Sequence, residues 1–390
     1  MNIVLHTNST SPHVVPLAAE LKKILRAENF KYVHHGMPKD SFRAEGIRDY
    51  IEDVAIDVSG CPEKAREIVL SADILIDNIR ELDVFVLRAN ASKPTYYVSE
   101  RWFKPILLDV GGIFARTLKC PTVPGFLKMV FPFAIKRALV MRKLMRSGNF
   151  FYLADGVFAA RDMARLCGLM NWDLHCLFSA PEVKYENKPL GRIIASPEAT
   201  KSYCLDNVRM WGYFVLPGLH RDTMQEDAGG ELRVLWVGRL LNWKCVNTIV
   251  YAVGGLPGVS LDIYGDGPCK KSLEKLVARY KNVFMHGSIG REEVRHVMRT
   301  HDIYVLSSNQ YEGWGAVVNE ALEEGMRVIG TLEAGASATI LPRENLYKVG
   351  DWKGLRKLLT HPISKIEIEP WTAKTAAMEL WRHILTVKQA

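Results

Sequence analysis

Seven cysteines, at positions 61, 120, 167, 176, 204, 245 and 269, are odd in number and include no Cys-x-x-Cys pair. That excludes a disulfide scaffold and a zinc ribbon, and leaves free thiols in a reducing compartment as the expectation. Nowhere do 18 apolar residues run together without a charge, so no membrane-spanning helix is expected. A Gly-x4-Gly-Lys-Ser/Thr loop is also missing, which argues against a P-loop nucleotidase. Residues 1–6 read as a first strand and lack the basic flank and small-residue end of a cleavable leader. The protein is therefore expected to stay in the cytoplasm. Acids are absent from 110–154, and this one gap governs the charge of the molecule. Residues 101–150 hold ten Lys or Arg against the single acid Asp109, so of the net +8 this window supplies +9 and the rest sums to −1. A basic nucleic-acid-binding protein is disfavoured, because the charge is confined to one apolar-rich window and no reader motif accompanies it.

A chain of 390 residues with 48% hydrophobic and 24% charged residues is globular and long enough for two domains. Short apolar runs alternate with helical periodicity, the pattern of α/β doubly wound parallel sheets. In the first half the pattern predicts strands at 2–6, 31–34, 54–57, 73–77, 95–98, 150–153 and 191–195, and helices at 14–27, 62–71, 124–146 and 156–168. A polar segment with paired glycines, Gly229-Gly230, reads as a linker. The expected division is 1–217, a linker at 218–230, a second domain at 231–370 and a last helix over 371–390.

In the second half, the apolar strand Ile303-Tyr304-Val305-Leu306 runs into the loop Ser307-Ser308-Asn309-Gln310-Tyr311-Glu312-Gly313-Trp314-Gly315-Ala316 and then a helix carrying Glu320. In open α/β sheets ligands bind beyond the carboxyl ends of strands, and a helix start flanked by glycines offers backbone N–H groups to an anion such as phosphate. Upstream, Val237-Gly238-Arg239-Leu240 leads to Lys244, placing two cations five residues apart after another strand. Then come Leu261-Asp262-Ile263-Tyr264-Gly265-Asp266-Gly267-Pro268 and Val283-Phe284-Met285-His286-Gly287-Ser288-Ile289. In this order the four elements resemble the signatures of the family 4 glycosyltransferases: the Glu-x7-Glu pair Glu312 and Glu320, the V-G-R-L-x-x-x-K element, the L-x-I-x-G-x-G-P turn and the V-x-F-x-G-x-V turn.

The resemblance implies a GT-B fold, two Rossmann-like domains facing a central cleft with the last helix crossing back onto the first. It implies a retaining transferase that moves a sugar from a nucleotide-diphosphate sugar, UDP favoured over GDP, to a hydroxyl. Glu312 would contact the transferred sugar and Glu320 the ribose. Arg239 and Lys244 would hold the diphosphate, while backbone at Gly265, Gly287, Ile289, Gly313, Gly315 and Ala316 would approach the nucleotide. Trp314 would pack on the sugar or gate the loop. No Asp-x-Asp pair occurs, so no metal is expected. The family has Gly after the Lys where this chain has Cys245, and glycines in the first loop where this chain has none before Gly36.

The first domain would bind the acceptor. A family histidine is expected after a mid-domain strand, but none lies between His35 and His175, and the corresponding turn reads Ser99-Glu100-Arg101. Two readings fit there: Glu100 serves the reaction while Ser99 and Arg101 hold the acceptor, or Glu100 and Arg101 pair with each other. Ser11 and His13, in the first loop, face the same side. At 126–146 bulky apolar residues alternate with cations, which suits either a membrane-surface helix or an ordinary helix with one face on the sheet. The first reading makes the acceptor a glycan or glycolipid at a membrane face, as in envelope polysaccharide assembly, and the protein peripheral on the inner face of the membrane. A GT-B nucleotide-sugar 2-epimerase is the alternative, disfavoured because its acid/base histidine setting is not found.

Overall fold

The computed structural model describes residues 1–10, 13–36, 51–100, 138–172, 182–194, 205–215, 230–360 and 371–389. The chain divides into two compact units, Met1–Leu216 with Trp371–Ala390, and Pro217–Pro370. The expected linker lies almost wholly outside the described residues.

The first unit is built on seven strands: β1 (Ile3–Thr7), β2 (Phe30–His34), β3 (Ala55–Asp57), β4 (Ile74–Asp77), β5 (Thr95–Ser99), β6 (Phe150–Asp155) and β7 (Val208–Trp211). They pair in the order β3-β2-β1-β4-β5-β6-β7, all parallel. A parallel sheet covered on both faces needs continuous apolar runs, and Ile3-Val4-Leu5, Ile74-Leu75-Ile76 and Phe150 to Ala154 are buried throughout. Each of four strands then ends on one buried polar residue: Thr7, Asp77, Ser99 and Asp155. The apolar runs make the sheet, and their polar last residues furnish its carboxyl edge.

One expected strand is displaced here, one helix was not expected, and the basic segment is described only in part. The strand predicted at 191–195 is only an edge cover. Arg192 and Ile193 make isolated bridges to Arg209 and Tyr185, and the true edge strand is β7, against which Leu190 N–H donates to the Met210 carbonyl at 2.8 Å. The helix Leu82–Asn90 was not anticipated, because Leu82-Asp83-Val84-Phe85-Val86-Leu87 mixes β-branched and aromatic residues. It is fastened by Arg88, buried, whose guanidinium donates to the carbonyls of Val69 (2.7 Å), Ala72 (2.8 Å) and Pro94 (2.9 Å). Of the basic segment, 126–137 lies outside the described residues, and the helix visible at 138–145 buries Ala138, Met141, Leu144 and Met145 in its own unit. That apolar face is therefore not available to lipid, and the exposed remainder is Leu139 with Lys143 and Arg146. Among the described residues no helix is long and apolar enough to cross a membrane.

The second unit has six parallel strands: β8 (Leu232–Val237), β9 (Val259–Tyr264), β10 (Val283–Gly287), β11 (Ile303–Leu306), β12 (Arg327–Thr331) and β13 (Leu346–Tyr347). Their order is β10-β9-β8-β11-β12-β13, with the direction of progression reversing between β8 and β11. Helices Val246–Val253 and Trp352–Thr360 close over one core made of Trp236, Ile249, Val253, Leu261, Ile263, Val305 and Leu355.

The helix Ala373–Gln389 packs in the first unit, against the helix Val15–Leu25 and the sheet. His383 anchors it: Nδ1 lies 3.0 Å from the Tyr96 hydroxyl, and the ring meets Phe151 edge-on at 4.8 Å. Burial, with Arg209 assisting, lowers the His383 pKa to about 4. A depressed histidine favours the unfolded state once that state protonates, so stability should fall as pH drops from about 6.5 to about 4. With the ring partly exposed to solvent, the effect is worth about 1–2 kcal/mol. In urea melts across that window, a His383→Asn chain should show a flatter loss than the wild type.

Candidate active site

In the second unit the loops beyond β8, β9 and β10 are bound to one another through main chain. Gly238 N–H donates to the Tyr264 carbonyl (3.0 Å), Leu240 N–H to the Asp266 carbonyl (2.8 Å) and Gly265 N–H to the Gly287 carbonyl (2.6 Å). The approach at Gly265 is so close that a Cβ there would lie 1.9 Å from the Gly238 carbonyl oxygen. Only glycine allows this contact. Gly287 and Ile289 stand half-buried on the outermost of these loops. Beside them His286 stacks on Tyr264 (4.5 Å between ring centres) and pairs with Asp262, which His301 also reaches at 3.1 Å. Burial raises the Asp262 carboxyl, but the bonds from the two histidines outweigh it and hold the group below its ordinary range. His286 thus fixes the turn.

The loop after β8 meets the loop after β11, the neighbouring strand. Asn309 N–H donates to the Trp243 carbonyl at 3.0 Å, and Ser307 Oγ donates to the Lys244 carbonyl at 2.6 Å. These two bonds bring Lys244 Nζ onto Glu312 Oε2 as an ion pair. The same carboxylate oxygen accepts from Ser308 Oγ at 2.6 Å, and the ammonium lies 4.5 Å from the centre of the Trp243 ring. Two residues singled out 68 positions apart are thereby one cluster. Cys245, where the resemblance led us to expect glycine, has φ 49°, in the left-handed region. A side chain there costs on the order of 1 kcal/mol, so the backbone has kept the glycine conformation although the residue has changed. Burial pushes its thiol upward from the ordinary value.

Glu320 lies in the first turn of the helix Val317–Glu323. It is largely buried, as is Glu312. Burial first, then the charges of Glu312 and Glu320, drive the Tyr304 phenol on β11 well above its ordinary pKa. Trp314 departs from expectation. Its ring is 1% exposed and its indole N–H donates to Asn319 Oδ1 at 2.8 Å, so it belongs to the core and cannot pack on a sugar. What the loop offers a ligand is backbone at Gly313, Gly315 and Ala316, all half-buried. Arg239 is exposed at the start of its loop and makes no ion pair among the described residues.

The first unit carries a cavity of about 610 Å³ beyond the carboxyl ends of β1, β4, β5, β6 and β7. His13, Ser99 and Glu100 line it. His13 stacks on Tyr213 at 5.2 Å, and the Tyr213 hydroxyl donates to Glu100. Ser11 and Arg101 lie outside the described residues. Three further lining residues were missed: Tyr213, Arg80, whose Nε donates to the Tyr97 hydroxyl at 2.9 Å, and Asp155. The available signal was an apolar run ending in one polar residue before a glycine, Leu153-Ala154-Asp155-Gly156, which a sequence reader takes for a turn.

Residues 224–365 match the family model described as glycosyl transferases group 1. Over 117 residues, 30% of this chain and 22% of the relative, the chain is 32% identical to sulfoquinovosyl transferase SQD2 of Arabidopsis thaliana. Over 132 residues, 32% of this chain and 38% of the relative, it is 28% identical to the lipopolysaccharide core biosynthesis glycosyltransferase LpsE of Rhizobium meliloti. The chain therefore spans about a fifth to two fifths of the length of these relatives. Solved structures are similar over its whole length. Anabaena Alr3699/HepE in complex with UDP superposes with a TM-score of 0.54 at 14% identity, covering 100% of this chain and 98% of that one. The lipopolysaccharide outer core galactosyltransferase WaaB gives 0.52 at 14% identity, covering 100% and 97%. The GtfA/B complex gives 0.58 at 12% identity, with both chains covered fully. The fold is GT-B, two parallel-sheet α/β Rossmann-like domains. The match to the glycosyl transferases group 1 model falls within the second unit.

Because Lys244 and Glu312 are mostly shielded, with side chains 16% and 10% exposed, removing one charge strands the other. Lys244→Met should destabilise the second unit by about 1–3 kcal/mol in urea unfolding, and adding Glu312→Gln should recover most of the loss.

Proposed function

We propose that the chain is a retaining glycosyltransferase of family 4 type that moves a sugar from a nucleotide-diphosphate sugar to a hydroxyl of a glycan acceptor. The observation that carries this reading is the Lys244–Glu312 pair, in which the cation of one signature and the first glutamate of another converge on one spot beyond β8 and β11. An ammonium has three donors, so Lys244 can keep Glu312 and still meet a phosphate oxygen. In the proposed step the acceptor hydroxyl attacks the anomeric carbon on the face the diphosphate leaves, and the leaving phosphate oxygen takes the acceptor proton. Arg239 and Lys244 stabilise the charge that develops on that diphosphate, worth a few kcal/mol each. Glu312, held by Lys244 and Ser308, accepts from hydroxyls of the transferred sugar. Glu320 accepts from the ribose, and backbone at Gly265, Gly287 and Ile289 adjoins the base.

With two cations on the diphosphate, no divalent metal is proposed to take part. UDP comes first among donors because the similar Anabaena structure was solved with it. A thermal-shift panel of UDP, GDP, ADP, dTDP and CMP without metal tests the donor site. One nucleotide, UDP by expectation, should raise the wild-type midpoint by several degrees at about 100 times its dissociation constant. Glu320→Ala should lose that shift. Unchanged nucleotide affinity in Glu320→Ala would remove the ribose assignment.

For the acceptor we propose a lipid-linked or membrane-surface glycan, in envelope polysaccharide assembly. LpsE is named for lipopolysaccharide core biosynthesis, and the present chain has a hollow of about 470 Å³ lined by Leu139, Arg142, Lys143 and Arg146. With the helix's apolar face already buried, attraction to an anionic surface is electrostatic, about 1 kcal/mol per cation. Replacing Arg142, Lys143 and Arg146 by Gln should weaken binding to vesicles rich in anionic phospholipid about 100-fold at low salt. Equal binding by the triple variant would show that this face does not meet the membrane.

A further inference from the structure

The first unit's cavity contains a buried acid that neither the fold nor the proposed transfer step uses. Asp155 ends β6 and is 3% exposed, and its Oδ1 is buried without a hydrogen-bond partner among the described residues. The comparison within the same sheet is Asp77, the last residue of β4. That carboxylate is equally buried but satisfied, accepting from Ile79 N–H at 2.5 Å and paired with His6 at 3.1 Å. A buried carboxyl oxygen left unpaired is destabilising, and an apolar residue of similar size at this position would avoid that. Such a cost is repaid when a ligand supplies the missing donor.

The surroundings say what kind of donor. The titratable and charged groups on the cavity wall are His13, Arg80, Tyr97, Glu100 and Tyr213. Arg80 places a fixed cation in the same space, which disfavours a ligand ammonium. Trp211, Phe214, Leu17 and Ile76 supply apolar and aromatic walls of the sort a sugar ring packs on. Resting on the reading that this unit takes the acceptor, we propose that Asp155 is a specificity-determining residue whose unpartnered oxygen accepts a hydrogen bond from a ring hydroxyl of a neutral sugar unit. Burial first, and Glu100 second, drive the Asp155 carboxyl well above its ordinary range, which suits a neutral partner better than a charged one.

The test uses the full chain with methyl α-glycosides of glucose, galactose and mannose, and with glucosamine, read by saturation-transfer NMR and titration. Asp155→Asn keeps the shape and an acceptor; Asp155→Leu removes the acceptor and should raise the melting temperature by relieving the unpaired oxygen. At least one neutral glycoside should bind the wild type, bind Asp155→Asn within about threefold, and bind Asp155→Leu at least tenfold more weakly. A Leu variant that is more stable and yet binds less separates recognition from folding. The proposal is overturned if no neutral glycoside binds the wild type, if Leu binds as well as Asp, or if Asn loses as much as Leu while glucosamine is the sugar bound. UDP shifts in the same samples report on the second unit. Their loss in every variant and the wild type would sink the transferase reading while the glycoside result still judged the cavity.

Discussion

A single ion pair, Lys244 with Glu312, links the two loops on which the candidate site depends. Neither residue is held by its own loop alone. Ser307 and Asn309 grip the main chain around Lys244, and Ser308 grips the carboxylate. The cation is thereby set where two neighbouring parallel strands, β8 and β11, release their chain. That is also where the sheet reverses its order, the place at which an open α/β sheet leaves a crevice. Removing the pair would leave the glycine turns intact and the charge they present unplaced.

The second unit's loops were legible because their requirements are local. A glycine that must let another backbone come within contact distance, or a strand buried on both faces, leaves a mark at a fixed position in the sequence. Gly265 and the run Val259–Tyr264 are of this kind. Trp314 was misjudged because its fate is decided by a partner, Asn319, five residues further on, and by the core it fills. A tryptophan between glycines looks available until that bond is seen. Cys245 shows the converse, a glycine conformation that survives without its glycine.

The first unit's cavity was legible only in outline. Ser99, Glu100 and His13 were placed on the right face by the strand pattern, yet what binds Glu100 is Tyr213, 113 residues away. No local rule points from one to the other. The edge strand β7 was misplaced for a related reason: residues 190–193 and 208–211 are both short and apolar, and only pairing with β6 decides between them. Helix Leu82–Asn90 carries its decisive residue, Arg88, facing inward, where a charged side chain reads as surface.

The loops beyond β8, β9 and β10 bond to one another through amides and carbonyls. Main-chain bonds are indifferent to the side chains that project from the same residues. Exposed positions such as Arg239 and Ser288 can therefore be replaced without loosening the lattice that displays them, whatever the replacement does to binding. Surface replacements on these loops could thus change what they recognise while the framework stayed untouched. Such a fold is a chassis for diversification: its glycines set the framework, and its charged groups set the chemistry displayed on it.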